Sequence, residues 1–316
     1  MKLRVMSWNI LNGGAGPAPD GSASSRWTLQ QQLINEFAPD LLVMQEARGF
    51  AADGARFQLA AEQDLGMRGW LAVAPRTGQH TAVFVRSPLR AVRFDPDSDH
   101  FHHALTNVTV QVPGLEVPLQ VASMHLSPLS PTSRAAEVGW LASFAAPGTL
   151  AIIGGDANSL APGDPEPADW AQLPAFQRVR YLETLDASSG RHVADRSALR
   201  FLHAAGLIDA ARTGASTGTG STDPVDPLGT VDPGGTVDPG GTVDTTATVP
   251  TSGYPDAEFV AFRSDHLLLS PSLAPARTAY MVVQDPRAHA TSDHLPIVVD
   301  LDLTRLLSRA TVGADA

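Results

Sequence analysis

The sequence predicts an α/β protein in which two packed, mixed β-sheets are flanked by helices, giving a four-layered sandwich. Three observations predict this fold class. Strand and helix signals are interspersed along the chain rather than separated into blocks. Several strand signals are short, apolar runs typical of buried strands. Hydrophobic residues make up 43% of the 316 residues, which is enough for a sizeable core.

Each element follows from a local pattern. In the first helix Leu29, Leu33, Ile34 and Phe37 share one stripe, and Pro39 ends it. The helices are predicted at 25–37, 55–65, 133–145 and 197–205. Strands are predicted at 3–9, 40–45, 81–86, 105–112, 117–124, 150–154, 259–269, 280–283 and 297–301. These elements are assigned to a single domain at 1–312.

One segment, at 214–250, departs from this pattern. From Val225 the chain reads VDPLGT, VDPGGT, VDPGGT and VDTTAT, and no positive charge occurs between Arg212 and Arg263. Such a stretch has too little apolar surface to offset its ordering entropy, which predicts a flexible surface insertion. A ligand-binding role for the recurring Asp is the alternative, although calcium loops crowd several oxygen ligands together.

Composition limits the classes of protein to which the chain can belong. No apolar run approaches the roughly 20 residues that span a bilayer, so we expect no membrane association. A strand signal begins at Leu3 and leaves no room for a signal peptide, which favours a cytoplasmic location. Without cysteine the chain has no disulfide framework and no thiolate chemistry. Oligomeric state has no signal in the sequence.

The net charge of the chain indicates which kinds of substrate or partner it can bind. The net charge of −11 weakens an interpretation as a tight nucleic-acid-binding protein, because such proteins usually carry a basic face. Lys2 is the only lysine, which excludes a catalytic lysine elsewhere in the chain.

Polar residues at the ends of apolar strands are the candidate site. Taken singly, each has a structural explanation such as a turn residue or a core histidine. Together they form a set of Asp, Glu, Asn and His that suits Mg²⁺ or Mn²⁺ better than zinc. The set comprises Asn9, Glu46, His125, Asp156, Asn158, Asp265, Asp293 and His294.

These residues lie in motifs that resemble a known family. The motifs SWNI, MQE, MHL, GGDAN and SDHLP occur in this order between residues 7 and 296. This set resembles the endonuclease/exonuclease/phosphatase family, which includes DNase I, exonuclease III, inositol-polyphosphate 5-phosphatases, bacterial sphingomyelinases and deadenylases. The resemblance covers nearly the whole chain except the repeats.

The resemblance implies a role for each residue. It implies that Glu46 is the principal metal ligand, with Asn9 and Asp293 beside it. Asp156 would orient or deprotonate the attacking water, helped by Asn158. The resemblance also implies that His294, paired with Asp265, touches the scissile phosphate, and that His125 stabilises developing charge or protonates the leaving oxygen. Such a site fits in-line attack on a phosphodiester, which accumulates negative charge on oxygen.

One departure affects His125. In DNase I the matching histidine is paired with a carboxylate on the strand that here reads QHTAVFVR, where this chain has Gln79 and His80 instead. His80 is a candidate substrate-binding residue, with an exposed strand-edge histidine as the alternative. The adjacent His102 and His103 could bind a metal, but neighbouring residues in a strand point to opposite faces, which argues against a shared site.

Arg134 opens the helix after MHL and is a candidate for contacting the substrate phosphate, with a surface arginine as the alternative.

The leading hypothesis is Mg²⁺-dependent hydrolysis of a phosphodiester in nucleic acid or a nucleotide derivative. The alternatives are a phosphomonoesterase, a phosphodiesterase of lipid or sugar headgroups, and a binding protein on a catalytically inactive scaffold. Arginines around the site mouth would favour nucleic acid over a small molecule. The arginines to be tested are Arg26, Arg48, Arg86 and Arg134.

Overall fold

The computed structural model describes residues 1–16, 25–168, 170–183, 193–212, 244, 246–255 and 259–306. Its strands are β1 (Lys2–Asn9), β2 (Leu41–Gln45), β3 (Arg68–Ala72), β4 (Thr81–Val85), β5 (Arg90–Phe94), β6 (Thr106–Gln111), β7 (Leu119–His125), β8 (Leu150–Asp156), β9 (Ile208–Asp209), β10 (Asp265–Leu269), β11 (Arg277–Val282) and β12 (Ile297–Asp302). Its α-helices are α1 (Arg26–Phe37), α2 (Ala52–Leu65), α3 (Pro131–Val138), α4 (Ala175–Arg178), α5 (Ser197–Ala204) and α6 (Pro286–Thr291).

The strands form two six-stranded sheets. The first has the order β11-β12-β1-β2-β4-β3 and the second β5-β6-β7-β8-β10-β9. In the middle of each sheet one parallel pair, β1 with β2 and β7 with β8, is flanked by antiparallel neighbours. The sheets are therefore mixed, as the sequence predicts.

Successive side chains along a strand point to opposite faces of its sheet, so each sheet packs against the other sheet on one face and against helices on the other. In β1, Val5 faces the other sheet, and its hydrophobic cluster includes Val121 and Ile152 of the second sheet. Trp8 of the same strand packs on the opposite face, in a cluster with Leu33 of α1. The second sheet is covered on its outer face by α3 and α5. The predicted four-layered sandwich is confirmed. None of the helices in the described ranges combines the length and apolar character that a bilayer crossing requires.

Several predicted boundaries were wrong. The strand predicted at 259–269 is limited to β10, because Arg263 and Ser264 lie buried in polar contacts before the strand begins. Strands β3 and β5 were missed. Both are edge strands, and β5 exposes two arginines of RAVRF, so its sequence lacks an apolar run.

The predicted insertion at 214–250 lies outside the described residues except for 244 and 246–250. Its last residues belong to the fold, which corrects the boundary. Thr248 and Val249 are fully buried. The Thr248 hydroxyl accepts hydrogen bonds from the backbone N–H groups of Ser264 (3.0 Å) and Asp265 (3.1 Å), at the start of β10.

This anchor gives a stability prediction. We expect Thr248→Val to lower the melting temperature, because it leaves two buried N–H groups without an acceptor, each costing about 1–3 kcal/mol. At roughly 2–4 °C per kcal/mol, the shift is readily measured by differential scanning calorimetry. The matched control is Thr246→Val, at an exposed threonine two residues earlier, which should have little effect.

The composition of the repeats predicts that a short Gly/Ser linker in place of 214–243 changes the melting temperature little. A large decrease in melting temperature for the linker variant would show that residues 214–243 contribute to stability. An unchanged melting temperature for Thr248→Val would show that Thr248 does not anchor the end of the segment.

Candidate active site

The candidate residues meet at one end of the two sheets. Parallel strands end at the same edge, which brings Asn9 of β1 beside Gln45 of β2 and His125 of β7 beside Asp156 of β8. Antiparallel β10 begins at this edge, so Asp265 pairs with Asp156. The predicted residues are therefore adjacent in space, and the site is divided between both sheets.

Asp156 lies at the centre of the site and is buried. Its Oδ2 atom is 3.3 Å from Nε2 of His125 and 3.6 Å from Nε2 of His294. Its Oδ1 atom accepts hydrogen bonds from the Ser264 hydroxyl (2.6 Å) and the Asn158 backbone N–H (2.8 Å). Burial alone would raise the pKa of Asp156, but His294 and His125 outweigh burial and hold it well below its usual range.

His294 is paired with Asp265, as the sequence predicted. Nδ1 of His294 lies 2.8 Å from Oδ2 of Asp265, and both residues are buried. Burial alone would lower the pKa of His294, but Asp265 and Asp156 outweigh burial and hold it well above its usual value. The pairing directs Nε2 of the imidazole toward Asp156 and fixes its orientation. The ring of Phe259 contacts the same imidazole edge-on, at a centroid distance of 5.5 Å.

His125 contacts the same carboxylate oxygen of Asp156, Oδ2, as His294 does. Burial alone would lower its pKa, but the hydrogen bond to Asp156 and the charges of Asp156 and Glu46 raise it. Asn158 supports this arrangement, because its side-chain amide donates to the Leu126 carbonyl (3.0 Å) next to His125. Its backbone φ of 48° is in the left-handed region, which is uncommon for residues other than glycine and recurs at functional sites.

Glu46 faces this group from the first sheet. Its Oε1 atom accepts from the Asn9 amide (3.3 Å), and Oε2 accepts from the Asn12 backbone N–H (2.8 Å) and the Gln79 amide (3.1 Å). The Asn9 amide also lies 3.4 Å from Oδ2 of Asp156 and so spans the two sheets. Glu46 has a φ of 57°, so the backbone turns sharply after β2. Gln79, noted in the sequence beside His80, is thus a site residue.

Asp293 completes a group of three carboxylates. Burial raises its pKa, and the carboxylates of Glu46 and Asp156 contribute to the rise, against the opposing effect of His294. Ser292 holds the loop in place by donating to the Asn9 carbonyl (2.7 Å). The carboxylates of Glu46 and Asp156 therefore lie near enough to Asp293 to disfavour its charged form.

The residues present fit a divalent cation. No group of three or more His, Cys, Asp or Glu within the described ranges is arranged as a metal site by itself. The predicted ligand set contains only two carboxylates, Glu46 and Asp293, with the Asn9 amide. Mg²⁺ is typically held by one or two carboxylates and keeps several waters. In this structure the Asn9 side-chain oxygen accepts a hydrogen bond from the Leu11 backbone N–H (3.1 Å).

Arg134 is not a substrate-binding residue in this structure, and neither of the two interpretations of it was right. It is fully buried. Its guanidinium forms an ion pair with Asp195 (3.1 Å) and donates to the carbonyls of Ser127 and Arg180. Its donors therefore hold together the loops behind the site.

His80 is buried rather than exposed at a strand edge. Its Nδ1 atom accepts a hydrogen bond from the Ala74 backbone N–H (3.0 Å), and burial lowers its pKa. This hydrogen bond is a structural contact within the loop before β4. Substrate binding by His80 stays a prediction.

Three further residues near the site are not among the predicted site residues. His103 stacks on His125, because residues 98–104 form a loop and the strand rule applied to His102 and His103 does not hold there. Ser264 binds Asp156, and its position directly before the buried Asp265 was the available signal. Glu137 accepts hydrogen bonds from the backbone of two site loops and had no signal in the sequence.

Comparison with known proteins gives consistent results. The family model described as Endonuclease/Exonuclease/phosphatase family matches residues 6–294. No curated protein matches the chain. Truncated TDP2 of Caenorhabditis elegans superposes with a TM-score of 0.55 at 18% identity, covering 96% of this chain and 98% of that one. A family protein from Bacteroides thetaiotaomicron gives 0.59 at 14% identity, covering 95% of both chains.

A third structure is TDP2 of Danio rerio in complex with a single-stranded DNA product, with a TM-score of 0.58 at 13% identity, covering 95% of this chain and 99% of that one. At these identities the likeness shows a common fold alone. The family model, in contrast, covers most of the chain and includes every predicted site residue. The chain therefore belongs to the endonuclease/exonuclease/phosphatase family.

Proposed function

We propose that the protein is a divalent-metal-dependent phosphodiesterase that hydrolyses a nucleotide derivative or a short nucleic acid. The observation that carries the proposal is the position of Asp156, whose carboxylate lies within 3.6 Å of two imidazoles and faces Asn9 and Glu46 on the other sheet. A carboxylate beside two histidines suits general acid–base work on a phosphoester.

The residues divide the reaction between them. Asp156, supported by Ser264 and Asn158, orients the attacking water or takes its proton as the new P–O bond forms. His294 stabilises the charge that accumulates on a non-bridging oxygen. The bond to the leaving oxygen then breaks, and His125 supplies the proton that this oxygen needs.

Asn9, Glu46 and Asp293 would hold Mg²⁺ or Mn²⁺. Such an ion, when bound, supplies Lewis-acid stabilisation of phosphoryl oxygens.

The placement of arginines favours a short substrate. Arg26 is buried and donates to the carbonyls of Leu11, Ala15 and Thr291. Arg86 follows β4 at the end of the sheet opposite to Glu46. Of the four arginines proposed for the mouth, Arg48 alone is both exposed and close to the site, where it donates to Asn12.

A long polyanion binds through many such cations, and the protein carries a net charge of −11. The complex of the fish TDP2 with a single-stranded DNA product supports a short single strand as a candidate substrate.

The test is a substrate screen with Mg²⁺, with Mn²⁺ and with EDTA. It compares bis(p-nitrophenyl) phosphate, dinucleotides, short single strands, plasmid DNA, nucleoside monophosphates, a sugar phosphate and sphingomyelin. We expect metal-dependent hydrolysis of the diester and the short strands, and Asp156→Asn as the control should abolish it. Preference for a monoester, sugar phosphate or lipid headgroup would replace the proposed substrate class. No hydrolysis of any phosphoester would overturn the proposal.

A further inference from the structure

The imidazole of His125 is held in an unusual way. Its Nε2 atom faces Asp156, but its Nδ1 atom is buried and has no hydrogen-bond partner in the part of the chain that the structure describes. A histidine that acts on substrate usually has its second nitrogen bound by a carboxylate or carbonyl, which fixes the ring. Here the contact that replaces this bond is a ring stack with His103, at a centroid distance of 4.1 Å and an interplanar angle of 25°.

His103 is itself fixed. Its side chain is buried, and its Nδ1 atom lies 3.0 Å from the Thr77 hydroxyl. Burial, with smaller contributions from His125 and His102, lowers the pKa of His103 to about 2, so the ring is neutral. A neutral His103 ring adds no repulsion between like charges when it stacks against His125.

The two stacked residues are held together through the backbone. Glu137 of α3 is buried, and its carboxylate accepts one hydrogen bond from the backbone N–H of His102 and one from that of Ser127, both at 2.7 Å. One carboxylate thus joins the loop that carries His103 to the segment that follows His125. Both oxygens of Glu137 are used in this way. The loop that carries His103 is therefore held at a fixed position relative to the segment that follows His125.

We propose that His103 is a positioning residue that orients His125 by stacking. The inference rests on the proposed function, in which His125 supplies a proton to the leaving oxygen. With no bond at Nδ1, the orientation of the His125 ring depends on its single polar contact at Nε2 and on the plane that packs against its face. The His103 ring provides that plane and keeps Nε2 of His125 directed at Asp156 and the reacting phosphate.

Two variants separate stacking from hydrogen bonding. His103→Phe keeps a ring but loses the bond to Thr77, whereas His103→Asn keeps a polar group and loses the ring. A small displacement of a catalytic group costs up to about 100-fold in rate. We therefore expect His103→Asn to lower kcat by about 10- to 100-fold with KM nearly unchanged, and His103→Phe to stay close to the wild type. The control is His100→Asn, an exposed histidine of the same loop that stacks on Trp140.

The same substitutions in a His125→Ala background test whether His103 acts through His125. His103→Asn should cause no further loss there, because the group that it orients is absent. A further loss in that background, or a lower kcat for His103→Phe than for His103→Asn, would overturn the proposal. Melting temperatures identify a variant that fails to fold, and His103→Phe in both backgrounds then carries the comparison.

An independent measurement does not require activity. Long-range ¹H–¹⁵N NMR spectra report the tautomer and hydrogen bonding of His125 through its ring ¹⁵N shifts, which the loss of a neighbouring ring current barely moves. We expect these ¹⁵N signals to move in His103→Asn more than in His103→Phe or His100→Asn. Unchanged His125 signals in His103→Asn would overturn the positioning role even if no substrate were found. Altered signals without hydrolysis by the wild type would instead support the positioning role and reject the proposed function.

Discussion

Replacement of Glu46 by Gln is expected to remove most Mg²⁺ binding and most activity while the fold survives. Gln has nearly the same shape and retains an oxygen for the backbone N–H of Asn12, but it lacks the charge that a hard cation requires. Loss of an outer partner of a metal ligand already costs about 10- to 100-fold in affinity or activity. We expect loss of the charged ligand to cost about 100-fold or more.

Isothermal titration calorimetry with Mg²⁺ measures this loss directly, and kcat/KM on the diester measures its consequence. Glu116→Gln, in the exposed turn between β6 and β7, is the matched control and should change neither quantity. Unchanged Mg²⁺ affinity in Glu46→Gln would show that another residue is the principal ligand. Lost affinity with an unchanged rate would show that the reaction does not need the metal.

Asp265→Asn is expected to reduce kcat/KM nearly as much as His294→Ala, by about 10²–10³-fold each. The 2.8 Å contact fixes the imidazole that faces Asp156, so loss of either partner removes one catalytic unit. The double variant should be little worse than either single variant. Asp265→Asn should also destabilise the fold, because the buried imidazole of His294 loses the nearer of its two carboxylate partners.

A double-mutant cycle in kcat/KM, normalised to the folded fraction, is the measurement. Asp209→Asn is the control, since Asp209 is an equally buried carboxylate in an ion pair with Arg263. It should lower stability without lowering the rate of the folded protein. Additive losses for Asp265 and His294 would show that the two residues act separately.

The sequence was sufficient for the positions that follow from strand ends. Asn9, His125 and Asp156 each close an apolar strand, and strands that end at a common edge bring such residues together whatever the detail of the loops. The pairing of Asp265 with His294 was implied by the family resemblance. The apolar run around Asp265 indicates only that its carboxylate requires a buried partner.

What the sequence could not predict depends on contacts between distant segments. Arg134 is buried because Asp195, 61 positions away, accepts its hydrogen bond, and no local pattern contains that pairing. His103 faces His125 because the chain leaves the extended conformation at 98–104, where alternation no longer applies. Thr248 was assigned to the repeats because its hexad resembles the others, although its hydroxyl supports β10.

The division of the site between two sheets has a mechanical consequence. Glu46 and Asn9 belong to one sheet, and His125, Asp156 and Asp265 belong to the other. The sheets are joined by an apolar layer and by side-chain hydrogen bonds from Ser123 to the Met44 carbonyl (2.8 Å) and from Thr106 to the Thr81 carbonyl (2.7 Å). A slip of the sheets by about 1 Å is enough to misalign reacting groups. The rate of the reaction should therefore depend strongly on how the two sheets are aligned. We expect it to fall on gentle heating, or on substitution of residues in the apolar layer, before the strands of either sheet unfold.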